Sequence, residues 1–335
     1  MLLEKLLAEK PYLLADGATG TNLFERGLQS GDAPELWNIE HPDRIQGLHQ
    51  DFVDAGADII LTNTFGCNSR RLMLHKAEGR VAELNKAAVG LARAAANTAD
   101  RPVVVAASIG PTGDLLAPLG PVTEDEATAV FVEQIQAVKE AGADVAWIET
   151  MSSLEEIRAA AHAAIKVGIP YTITASFDTA GRTMMGVTPQ ALADFVAQLS
   201  PPPLAIGANC GVGASDLVNS ISQMFDAQPK MNLIAKANAG VPKWVGAEIH
   251  YSGTPDLMEC YAGIALDSGA KIVGGCCGNS PKHLAAMRKA LDNYHRSAKP
   301  SLDQIIEKLG PLTSPPSAVT ETTGGGRARR DGKRR

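Results

Sequence analysis

Cys276 and Cys277 are adjacent in the run Ile272-Val273-Gly274-Gly275-Cys276-Cys277-Gly278, and Cys210 stands in a closely similar run, Ala205-Ile206-Gly207-Ala208-Asn209-Cys210-Gly211. Each run reads as a short buried strand that breaks into glycine with a thiol at its end. Three protein ligands and one open position are the pattern of a catalytic zinc site, whereas structural zinc is closed by four. The competing reading makes each cysteine a small buried hydrophobe. Glycines beside each thiol would waste core packing, which favours the metal. Two readings come from other classes: a redox switch on the vicinal pair Cys276-Cys277, and a non-catalytic zinc- or thiol-binding module. Bound zinc separates the first from the rest, and turnover separates the second.

Other strand ends carry polar chemistry. Glu149 closes the apolar run Val145-Ala146-Trp147-Ile148 and could hold an ammonium group; a salt bridge on the rim or a helix N-terminal acid is the alternative. Asp16 precedes Gly17, where a missing side chain lets backbone N–H groups approach a ligand. Asn63, Asn209 and Asn238 either orient such groups or tie loops together. Gly110-Pro111-Thr112-Gly113 contacts substrate or is a plain tight turn. None of the seven histidines has the spacing of a ligand pair. Cys67 is expected near these groups without ligating, and Cys260 in a helix as core.

Elements that could position these residues recur along the chain. The apolar runs are 12–15, 58–62, 103–107, 145–148, 171–175, 204–207, 233–236 and 271–273, unbroken as in parallel strands buried on both faces. Helical spacing fills the gaps, as in Ile45, Leu48, Phe52 and Val53. Thr123 and Glu126 form a capping-box pattern. Ala55-Gly56-Ala57-Asp58, Ala141-Gly142-Ala143-Asp144 and Ser268-Gly269-Ala270-Lys271 each end a helix and begin a strand. Eight β-then-α units predict a single-domain (β/α)8 TIM barrel over residues 1–300, with a doubly wound open sheet as the alternative. A short helix at 301–310 and a disordered basic tail at 311–335 follow. In a barrel, active sites gather where strands end, and the sixth and eighth strand ends carry the thiols.

The 335 residues carry a net charge of −6; the last nine contribute +5, which leaves an acidic body that does not suggest a nucleic-acid enzyme. Five cysteines and no signal-peptide pattern point to a reducing compartment and a cytoplasmic protein. No apolar stretch is long enough to span a membrane. The N-terminal helix and the helix at 301–309 are candidates for homo-oligomer contacts.

Over about residues 10–292, the Gly-Gly-Cys-Cys-Gly run, the upstream Gly-Ala-Asn-Cys run and the order of the other strand-end motifs resemble the zinc-dependent homocysteine S-methyltransferases. That group includes betaine–homocysteine methyltransferase, S-methylmethionine-dependent enzymes and the homocysteine module of cobalamin-dependent methionine synthase. The resemblance implies that Cys210, Cys276 and Cys277 bind Zn2+ with the sulfur of L-homocysteine as fourth ligand. It also implies that Glu149 takes the homocysteine ammonium and that Asp16 and Gly17 lie at the substrate site, where Gly17 would let backbone N–H groups approach the amino-acid carboxylate, with Asn209 beside them. A betaine-type donor pocket would draw on Phe65 and Trp37, with Phe24 and Phe177 as further candidates, because onium methyls are held by aromatic faces. Glu149-Thr150 and Phe65-Gly66 depart from the betaine-type pattern and resemble the methionine-synthase module. The expectation is a free-standing enzyme using a small onium donor, glycine betaine first, with a sulfonium donor or a separate corrinoid protein as alternatives.

Overall fold

The structure is a computed structural model that describes residues 1–245 and 248–313. Its strands are β1 (Leu13–Leu14), β2 (Ile59–Leu61), β3 (Val104–Ile109), β4 (Val145–Met151), β5 (Tyr171–Ala175), β6 (Ile206–Cys210), β7 (Leu233–Ala237), β8 (Pro242–Val245), β9 (Glu248–Tyr251) and β10 (Ala270–Gly275). Eight of them form one parallel sheet in the order β1-β10-β7-β6-β5-β4-β3-β2. A parallel bridge from Ala15 to Ile59 joins β1 to β2 and closes the cylinder. The expected (β/α)8 barrel is what the chain adopts.

The apolar runs separate into two cores because side chains alternate across a strand. One set, with Leu13, Ile59, Leu61, Val104, Ala106, Val145, Trp147, Ile234 and Ile272, fills the barrel interior. Leu3, Leu6 and Leu7 of the helix Leu2–Glu9 belong to the same cluster. That helix runs straight into β1, so its apolar face plugs the floor of the barrel. The other set joins the strands to the surrounding helices, whose spacing buries residues such as Ile45, Leu48, Phe52 and Val53 of Pro42–Asp54. The Thr123–Glu126 capping box forms as expected, with Thr123 Oγ1 accepting from the Glu126 N–H at 3.2 Å.

Two features depart from the sequence reading. An antiparallel hairpin, β8 with β9, is inserted after β7, where only a βα connection was expected. The helix Leu302–Leu309 packs on Ala214–Ala227 and Pro255–Asp267 through Ile305 and Leu309, so its apolar face, like that of the first helix, is spent inside this chain. Past it, Thr313 donates through N–H and Oγ1 to the Asp216 carboxylate at 3.1 and 3.2 Å. The expected tail lies, from 314 on, outside the described residues. Among the described residues, no helix is long and apolar enough to cross a membrane.

Candidate metal centre

Register brings the thiols together. Cys210 of β6 and Gly275 of β10 are both paired with Ala237 of β7, so the two thiol-bearing strand ends finish level, one strand apart. The Cys276 N–H donates to Ala237 O at 2.7 Å, and the Ala239 N–H donates to Cys277 O at 2.9 Å, which laces the Cys-Cys turn to the end of β7. Cys210 itself has φ +58°, a left-handed conformation that a side chain adopts at a cost and that turns its thiol off the strand axis. The three Sγ atoms lie within 4.8 Å of one another, and Cys210 Sγ is 3.9 Å from Cys277 Sγ. Four sulfurs at about 2.3 Å from a tetrahedral zinc stand about 3.8 Å apart. Among the described residues this is the one such group able to hold a metal.

Without a metal the three thiols titrate as one unit. Hydrogen bonds from Cys210 and Cys276 pull Cys277 well below the usual thiol range. Cys210 is pushed up by those same bonds to Cys276 and Cys277 and by burial. Cys276 accepts from Cys210, yet its bond to Cys277 and its burial push it up to about 12. The cluster therefore takes one negative charge readily and resists further charge until a cation arrives, which is how a soft-metal site behaves.

Asn209 frames the centre. Its Oδ1 accepts from Thr150 N at 2.9 Å and Thr174 Oγ1 at 2.7 Å; its Nδ2 donates to Thr150 Oγ1 at 2.7 Å and to Cys276 Sγ at 3.9 Å. These bonds hold Thr150 at φ +61° at the end of β4. Two residues that sequence reasoning passed over complete the frame. Asn279 donates from Nδ2 to Ala237 O and Cys276 O, and its carbonyl accepts from Ala18 N and Asn22 Nδ2. A Cβ on Gly17 would lie 2.6 Å from that carbonyl, so Gly17 is required for the β1 turn to close on Asn279. Tyr251, on the unforeseen hairpin, lies against Gly278; burial and the neighbouring thiols push its hydroxyl up. Nothing in the local sequence marked the hairpin, whereas Asn279 stood in plain view beside the cysteines.

Beneath the thiols the barrel interior turns polar. Glu149 follows Trp147 by two positions on β4 and faces inward, bonded by Ser108 Oγ–H at 2.5 Å through Oε1. Burial pushes its carboxyl up to about 7; Lys236 opposes the shift and Cys276 adds to it. Asp16 is buried, with Oδ2 accepting from Leu61 N at 2.7 Å and Oδ1 from Lys236 Nζ at 2.6 Å.

The expected aromatic residues separate. Phe65 is 36% exposed, its ring over Gly110, where a Cβ would meet it at 2.7 Å. Trp37 is buried in the outer core, its ring edge-on to His41 at 4.7 Å and under Arg44 at 4.8 Å. It is engaged there and not presented to the thiols. Phe177 is buried, and Phe24 is exposed. Asn63 is tied to Pro34 O and Asn38, and Asn238 to Gly211 O. Cys67 is buried in a satellite cluster with Leu72, Val81 and Leu84. His283 caps its helix by accepting from the Ser280 N–H at 3.1 Å.

The (β/α)8 barrel gathers three thiols and an inward carboxylate at the C-terminal mouth, the face where active sites of this fold sit. Residues 13–291 match the homocysteine S-methyltransferase family, and the chain belongs to that family. Curated relatives include the methionine synthases of Mycobacterium tuberculosis, 29% identical over 89% of this chain, and Mycobacterium leprae, 28% identical over 92%. The chain spans 26% and 27% of their respective lengths. The homocysteine methyltransferase MmuM from Escherichia coli in its metallated form superposes with a TM-score of 0.71 at 24% identity, over 86% of this chain and 99% of that one. At that identity the likeness speaks for the fold.

Proposed function

We propose that this chain transfers a methyl group to the sulfur of L-homocysteine held at a Zn2+ ion on Cys210, Cys276 and Cys277, forming methionine. The observation that carries the reading is the 3.9 Å Cys210–Cys277 separation within a three-sulfur cluster, which suits a tetrahedral ion with one position left for a fourth thiolate. Bound there, zinc supplies the Lewis acidity that keeps the homocysteine sulfur deprotonated at neutral pH. The protein's own groups do the rest. Glu149 accepts the substrate ammonium, with Ser108 fixing its orientation. Asn209 and Asn279 hold the cysteine-bearing turns. Tyr251 lies beside the Cys-Cys turn and favours the thiolate form of Cys277, the form in which it would hold the ion. No general acid is required when the leaving group departs as a neutral amine or sulfide.

For the donor, glycine betaine rests on Phe65, a ring of the expected cage that follows the end of β2 and is partly exposed. A methyl group delivered by a separate corrinoid protein is the second reading, favoured by the engagement of Trp37 elsewhere and by kinship with methionine synthases. Methionine formation by the zinc-loaded chain, offered homocysteine with glycine betaine, a methylsulfonium and methylcobalamin in parallel, tests both. Turnover with an onium donor supports the first reading. Turnover with methylcobalamin alone supports the second. No turnover with any donor, together with no binding of homocysteine, contradicts the whole assignment.

A further inference from the structure

The turn that carries Phe65 is held by side chains from several elements. Gly110 N–H donates to Phe65 O at 3.0 Å and Thr64 Oγ1 donates to Ser108 O at 2.7 Å, which ties the turn to the end of β3. Gln134, on the helix Glu124–Glu140, donates from Nε2 to Thr64 O at 2.7 Å. Asn85, on the helix Val81–Ala96, donates from Nδ2 to Cys67 O at 2.8 Å. Glu35, in the 3-10 turn Pro34–Leu36, accepts from the Gly66 N–H through Oε1 at 2.7 Å. Asn63 Nδ2 donates to Pro34 O at 2.7 Å, so Pro34 and Glu35 bracket Phe65 through bonds to residues 63 and 66. Glu35, Asn85 and Gln134 are all buried. Burying a polar side chain is costly unless it is bonded, and the backbone of a connecting segment ordinarily meets water instead. Three such side chains on one short turn mark a turn whose shape matters. The close approaches agree: a Cβ on Gly66 would lie 2.8 Å from Glu35 Oε1, and one on Gly110 would lie 2.6 Å from Phe65 O. None of these bonds involves Cys210, Cys276 or Cys277, so the turn is fixed independently of the thiols.

We propose that Glu35 is a positioning residue for the methyl donor: through the Gly66 N–H it fixes the Phe65 ring at the rim of the barrel, and so sets donor binding while leaving the thiol substrate untouched. Among the described residues, that N–H has no other acceptor. A side chain held by buried hydrogen bonds behind it presents its face without an ordering cost when a ligand arrives. This rests on the onium-donor reading above and adds what holds its aromatic residue in place.

The test is methionine formation by the zinc-loaded full chain with glycine betaine varied at saturating homocysteine, beside calorimetric binding of homocysteine alone. Glu35→Ala is expected to raise the KM for glycine betaine by about tenfold, the loss of a hydrogen bond to a charged group. A loss confined to donor binding leaves kcat unchanged. The homocysteine Kd should stay within about twofold, the precision of such a comparison when no contact is lost. Glu35→Gln keeps an acceptor for the Gly66 N–H and removes the charge, so it should restore the wild-type KM. Gln134→Met removes the bond to Thr64 O from another helix and should show the same split, which carries the test if Glu35→Ala does not fold. An unchanged KM for glycine betaine would overturn the proposal. So would an equal rise in that KM and in the homocysteine Kd, which marks a merely structural residue, or a Glu35→Gln chain as impaired as Glu35→Ala, which marks the charge itself. Wild-type protein that binds homocysteine and makes no methionine from glycine betaine would overturn the onium-donor reading, and this inference with it.

Discussion

Cys210, Cys276 and Cys277 announce themselves because thiols beside glycines at strand ends have little to do in a core. Their convergence depends on a register that pairs Cys210 and Gly275 with the same residue, Ala237, and register is not written in any one run. Cys277→Ala is expected to lose zinc and turnover while keeping its fold, since the side chain lies past the packed strands; metal analysis beside circular dichroism checks it. Glu149, pushed up to about 7 by burial, makes a pH prediction. Only its ionised form accepts the substrate ammonium, so homocysteine affinity should fall as pH drops through about 7. Glu149→Gln should raise the homocysteine Kd at pH 8 by about tenfold, the loss of one charged hydrogen bond, and abolish that inflection in a Kd-against-pH series. Lys236 shows the limit of reading residues singly: it was visible as the last residue of an apolar run, but its meaning came from Asp16, 220 positions away.

At the scale of elements, seven of the barrel strands could be read to within two residues at their starts and three at their ends, and β5 without error, because parallel strands buried on both faces leave long apolar runs. The hairpin β8–β9 could not. Its strands are short and lie outside the barrel's repeating pattern, so no periodicity marks them, yet it brings Tyr251 against the Cys-Cys-Gly turn. Gly278 joins the two elements at φ +79°, and a Cβ there would lie 2.4 Å from Tyr251 Cβ. Gly278→Ala is therefore expected to cost about 1–3 kcal/mol in strain and to weaken zinc binding, measured by urea unfolding and by competition with a chromogenic chelator. Unchanged zinc affinity would detach the hairpin from the centre.

Across the whole molecule, the (β/α)8 architecture follows from eight repeated units, but the plug at its floor does not. The amphipathic first helix reads equally well as a surface for assembly; the structure shows Leu3, Leu6 and Leu7 inside the barrel. Leu6→Ala should destabilise the fold by about 2–5 kcal/mol through the cavity it leaves, while zinc content per folded molecule stays unchanged, because the plug and the thiols lie at opposite ends of the barrel. The central claim is that three thiolates hold an ion whose fourth position belongs to the substrate sulfur. X-ray absorption at the zinc edge, on the loaded full chain with and without homocysteine, tests it most directly. The account predicts three sulfurs and one lighter atom around zinc, becoming four sulfurs at about 2.3 Å when homocysteine is added; a sulfur count that does not change on addition would contradict it.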